Sequence, residues 1–119
     1  MLAFSEEQFD GMAVETFLER VIGIIAEADP NAESQLRTAD GRRILHEQYD
    51  KALQYGLAME LETAQYILTA WLLGTDFDIR FPAMQEILIH PKLSASQKAN
   101  GIEQTATMLL ELLKSKGQR

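Results

Sequence analysis

The sequence predicts an all-α fold, a single-domain helical bundle of four main helices plus one or two short ones over residues 1–119. Three observations carry this reading. Apolar residues recur at i, i+3 and i+4 spacing in four long stretches. Helix-start and helix-stop residues bracket those stretches. No run alternates apolar and polar residues as a half-buried strand does. With 119 residues and 46% apolar content, the chain is long enough to bury a core.

In chain order, Ser5 is an N-cap followed by Glu6, Glu7 and Gln8, with Gln8 at the capping-box position. Phe9, Val14, Phe17, Leu18, Val21, Ile22 and Ile25 then form one face of a helix expected at about 6–28. Glu19, Arg20, Gly23 and Glu27 fall on its polar side, and Asp29-Pro30 ends it. Residues 31–40 read as a helical turn or loop. A helix follows at about 40–55, with Asp40 as its cap and Ile44, Leu45, Tyr49, Ala52 and Leu53 as its buried stripe. Gly56 supplies the left-handed residue that closes it.

The third helix spans about 60–73. Ala64, Ile67, Leu68, Trp71 and Leu72 form one face, widened by Tyr66, Ala70 and Leu73, so this helix is expected to be central and Trp71 to be core. Gly74 ends it, and Thr75-Asp76-Phe77-Asp78 reads as a turn. Pro82 opens a short helix over about 82–89, which His90-Pro91 stops. Ser94-Ala95-Ser96-Gln97 is a capping box for a last helix at about 95–115, with Ala99, Ile102, Ala106, Leu109, Leu110 and Leu113 as its apolar face.

Composition narrows the function classes. Eighteen acids against eleven bases give a net charge of -7. That balance disfavours nucleic acid and anionic membrane surfaces, whose binding rests on Lys and Arg. There is no Cys, so disulfides and thiolate chemistry are excluded. The N-terminal stretch has acids where a signal peptide needs bases, and the apolar run from Ala64 to Leu73 is too short to span a bilayer, so a cytoplasmic location is the expectation.

LHEQYDKALQYGL, ELETAQYILTAWLLGTDFD, FPAMQEIL and HPKLSASQK resemble a family of small helical accessory proteins encoded in bacterial type VI secretion clusters, near spike and effector genes. Tyr55-Gly56, Gly74-Thr75-Asp76-Phe77-Asp78, Ile87-Leu88 and Pro91 carry the resemblance, which covers about residues 45–98. The chain departs from that pattern at Met59-Glu60, where a Thr or Ser cap is expected, and at Met84, where a Trp is expected. The resemblance implies an immunity factor, adaptor or effector chaperone in place of an enzyme.

Two readings stand for the loop motif Gly74, Asp76, Phe77 and Asp78. The paired carboxylates suit a shared cation or acid–base work, although a hard cation wants six or more oxygens. The reading that the residue types favour is a cap and a turn, with Asp78 accepting from amides at the next helix start and Phe77 anchored in the core. His46 and His90 are the only histidines. His46 and Asp50 form an i, i+4 pair, whereas zinc needs three or four ligands. His90 sits at a helix end. No phosphate loop or HExxH run occurs, although a serine triad assembled in space is not visible to sequence.

The expected function is therefore a non-enzymatic protein-binding module without cofactor or metal. The first reading is an immunity protein that binds a type VI secretion toxin. The alternatives are an effector adaptor or chaperone for loading onto the spike, and an enzyme or metal-binding protein with a site near Asp76 and Asp78. Glu15, Glu19, Glu27, Glu60 and Glu62 are the expected acidic docking residues, with charge steering a basic partner.

Overall fold

The computed structural model describes residues 11–117, with side chains over 14–115. Among these residues the fold is all-α: α1 Gly11–Ala28, α2 Ala32–Leu36, α3 Ala39–Gln54, α4 Glu60–Leu73, α5 Phe77–Arg80, α6 Pro82–Ile89 and α7 Ala95–Gly117. The chain divides into two compact units, up to Glu47 and from Gln48 onward, and the division falls inside α3. The expected Ser5 cap and the first turn of the first helix lie outside the described residues.

In the first unit, α1 buries Phe17, Leu18, Val21, Ile22 and Ile25, the stripe its spacing predicts. It ends at Ala28, ahead of Asp29-Pro30, and the Asn31 N–H turns back to Asp29 Oδ1 at 3.1 Å. The stretch expected as a helical turn or loop is the short helix α2, which buries Ala32 and Leu36 and packs on α1. The cap of α3 is Thr38 and not Asp40: Thr38 Oγ1 accepts from the Gly41 N–H at 3.0 Å and donates to Gln35 O at 2.8 Å. Asp40, in the first turn of the helix, pairs with Arg43 instead.

In the second unit, α4 and α6 pack on α7, and α5 contacts both α4 and α6. Ala52, Leu57, Tyr66, Ala70, Leu73, Phe77, Met84, Leu88, Ala99, Ile102 and Ala106 form one core. The end of α3 is a Schellman closure. Leu57 N–H bonds to Ala52 O and Gly56 N–H to Leu53 O, both at 2.9 Å, with Gly56 at φ 86°. The α7 capping box forms as expected, with Ser94 and Gln97 exchanging bonds of 2.9 and 3.1 Å. The α4 start has half of one: Glu62 Oε1 accepts the Met59 N–H at 3.1 Å, and Met59 offers no oxygen in return.

Four core assignments are corrected. Trp71 is only half-buried, and the ring at the centre is Tyr66, which is fully buried. Leu72 and Leu53 are exposed, because the surfaces that cover α4 and α3 reach their neighbouring positions and not these. Leu113 continues the apolar face of α7 but is 58% exposed. The core contributions of α7 stop at Ala106, with Leu109 and Leu110 only partly covered.

Candidate functional site

The sharpest polar feature lies where the expected loop motif sits. Residues 77–80 form one helical turn, α5, and not the loop expected there. Gly74, at φ 112°, lets the chain leave α4, and Phe77 drops into the core with its ring centroid 4.9 Å from that of Tyr66. This places the next residue, Asp78, inside the protein at 1% exposure.

The buried carboxylate is fully engaged. Asp78 Oδ1 accepts from Lys51 Nζ at 2.9 Å and Oδ2 accepts from the Tyr55 hydroxyl at 2.8 Å. The same Lys51 ammonium donates to Thr75 O at 3.0 Å. Lys51 and Tyr55 stand four residues apart, so one face of α3 presents both donors. Asp78 therefore does not cap the next helix as expected; it staples α5 to the end of α3. The start of α6 is instead set by Phe81, extended before Pro82.

Asp76 has a different fate. It is exposed, its backbone carbonyl accepts from Ile79 and Arg80, and its side chain lies 3.8 Å from Arg80 Nε. Arg80 also donates to Leu73 O and stacks 4.9 Å over the Phe81 ring. The two aspartates thus answer to separate partners. Burial, and then the bond to Asp78, push the Tyr55 phenol up to about 12, and burial pushes Tyr66 up as well. A phenol so shifted keeps its proton at neutral pH and acts as a donor, not as a base or nucleophile. Among the described residues, no group of three or more His, Asp or Glu is placed to hold a metal ion.

The acidic docking candidates are distributed over both units. In the first, Glu15 and Glu19 are occupied by arginines. Arg42 reaches Glu15 at 2.9 Å and Glu19 at 2.7 Å, and Arg37 reaches Glu19 at 2.6 Å and Glu33 at 3.1 Å. The Arg42 bond chiefly holds the Glu15 carboxyl below its usual range, and the Arg37 bond does so for Glu19. His46 turns to Glu15, with Nε2 2.5 Å from Oε2, and not to the expected Asp50. Glu27 is exposed. In the second unit Glu60 and Glu62 are buried, and Glu62 serves the α4 start. His90 Nδ1 accepts from the Lys92 N–H at 3.1 Å, part of the turn after α6.

Sequence reasoning missed Lys51, Tyr55 and Arg80. The i, i+4 spacing of Lys51 and Tyr55 beside the helix-closing Gly56 was a visible signal; their acceptor, 23 to 27 residues on, was not. No helix among the described residues is long and apolar enough to cross a membrane. No family model, curated protein or solved structure matches this chain.

Proposed function

We propose that this protein is a non-enzymatic binding module that works by forming a stoichiometric complex with another protein. The observation that carries the reading is the Asp78 cluster. Its one deeply buried carboxylate has both oxygens committed to Lys51 and Tyr55, so the residues with the most chemical potential serve to hold the fold. Next to that staple, Ile79 stands 74% exposed, and Ile89, Met108, Leu112 and Leu113 are each more than half exposed. Apolar side chains left in water on a well-stapled scaffold suit recognition better than turnover.

Within this reading, an immunity protein for a type VI secretion toxin comes first, on the sequence resemblance and the net charge of -7. An effector adaptor is the second reading. It is favoured by the neutralisation of Glu15 and Glu19 within the chain, which weakens the case for steering by those acids.

The test is co-purification with the products of the adjacent genes, followed by calorimetry at two salt concentrations. A tight complex with a toxin, together with rescue of cells expressing it, supports immunity. Binding to effector and spike without rescue supports the adaptor. Turnover of a small molecule by the purified protein, with neither neighbour bound, overturns the binding-module reading.

A further inference from the structure

One helix serves both units. α3 runs unbroken from Ala39 to Gln54, yet the division between the units falls after Glu47. Its two halves are held by different chemistry. Before the division, Arg42 reaches Glu15 and Glu19 on α1, His46 reaches Glu15, and Arg43 pairs with Asp40 and Glu47 within the helix. All of these pairs lie at the surface. After the division, Ala52 is fully buried in the core of the second unit, Lys51 and Tyr55 hold the buried Asp78, and the closure at Gly56 ends the helix. Exposed pairs add little to stability, whereas a buried pair is costly to break. At the division itself, the buried side-chain oxygen of Gln48 finds no hydrogen-bond partner among the described residues, which weakens the helix there.

We propose that the first unit unfolds on its own, as one cooperative segment, while the second unit stays folded, and that α3 then melts only as far as Lys51. Stability is not uniform along a chain, and segments held by few shielded bonds open first. The edge of the segment follows from helix geometry, in which each N–H bonds to the carbonyl four residues back. The amides of Gln48 to Lys51 therefore bond to the carbonyls of Ile44 to Glu47 and lose their acceptors when the first unit melts. The amides of Ala52, Leu53 and Gln54 bond to the carbonyls of Gln48, Tyr49 and Asp50 and keep theirs. The boundary thus falls between Lys51 and Ala52, inside a helix that is continuous to the eye. The opened state puts the α1 stripe of Phe17, Leu18, Val21, Ile22 and Ile25 into water without breaking the Asp78 staple. This inference stands apart from the binding-module reading.

Gly41 offers a handle on the first unit alone. A Cβ there would run into the backbone of α2, meeting the Gln35 carbonyl oxygen and, at 2.8 Å, the Leu36 Cα. Both sides of that approach belong to the first unit. The experiment is amide hydrogen exchange followed residue by residue by NMR on the full-length protein, in graded urea below the unfolding transition. The bonded amides of α1, α2 and α3 through Lys51 are expected to share one opening with a common urea dependence. They are expected to exchange at least about tenfold faster than Ala52, Leu53, Gln54 and the buried positions of α4 and α7. One common opening for the whole of α3 overturns the proposal. Gly41→Ala is then expected to abolish protection in α1, α2 and α3 through Lys51, and to leave Ala52 to Gln54 and the buried positions of α4 and α7 protected. Loss of protection across both units in Gly41→Ala, or a uniform drop along α3, also overturns it.

Discussion

The protein contains two acid–base clusters built from the same side-chain types, and their surroundings make them opposites. In the first unit Glu15 and Glu19 share Arg42, with Arg37 and His46 at the margins, and all five side chains are 34–48% exposed. In the second, Asp78 is 2% exposed at its side chain and its cation Lys51 is 29% exposed. Water screens the first cluster and supports each member when a partner is lost. Asp78 is shut off from bulk solvent, so loss of a partner leaves a charge in the interior. The lesson is that the number of ion pairs says little about which one holds a fold; burial decides.

The comparison breaks most sharply at Lys51. Lys51→Ala strands the Asp78 carboxylate and is expected to cost about 3–5 kcal/mol, measured by urea unfolding. A loss below about 1 kcal/mol would show that the site relaxes as a surface pair does. Next comes Tyr55→Phe, which removes one bond to a buried carboxylate and is expected to cost about 1.5–3 kcal/mol. It also carries a pH signature. The folded phenol titrates above its ordinary value of 10, at about 12, so its contribution is complete below pH 10 and is lost as pH rises to about 12. Stability should fall less steeply over that window in Tyr55→Phe than in the wild type, and parallel curves would remove Tyr55 from the account.

Glu19→Gln, in the exposed cluster, should cost about 1 kcal/mol or less, and the difference from wild type should vanish near 1 M salt, where the screening length is about 3 Å. The pH sign here is reversed. Glu15 and Glu19 have folded values below the ordinary 4.5, so their contribution is present above that pH and is lost as pH falls through the folded values. A salt-resistant effect of Glu19→Gln would mean that the cluster behaves like the buried one. The smallest effect is expected from Tyr66→Phe. The Tyr66 hydroxyl is buried and has no hydrogen-bond partner in the structure, so its removal should be neutral or slightly stabilising. A loss beyond about 1 kcal/mol would reveal a bond to that hydroxyl, and so a wider polar cluster around Asp78.

Local chemistry made much of the architecture legible. The ends of α4 and α6, the Ser94–Gln97 box and the closure at Gly56 follow from residues within one turn of each other, whose propensities act without the rest of the chain. The class of the fold followed from periodicity for the same reason. What lay beyond reach was everything set by approach between distant segments. Trp71 and Tyr66 sit on the same broad apolar helix, and only the placement of α7 and α5 determines that the tyrosine is enclosed and the tryptophan only partly covered. Gly41 reads as an ordinary helix residue, yet a Cβ there would meet the Leu36 Cα at 2.8 Å, because α2 lies against the start of α3. Asp76 and Asp78 look alike as a pair two residues apart, and one turn of helix anchored by Phe77 turns the second into the interior, where Lys51 and Tyr55 wait on α3. Sequence determines what each side chain is able to bond; tertiary structure decides which of them is shielded from water, and shielding sets what the bond is worth.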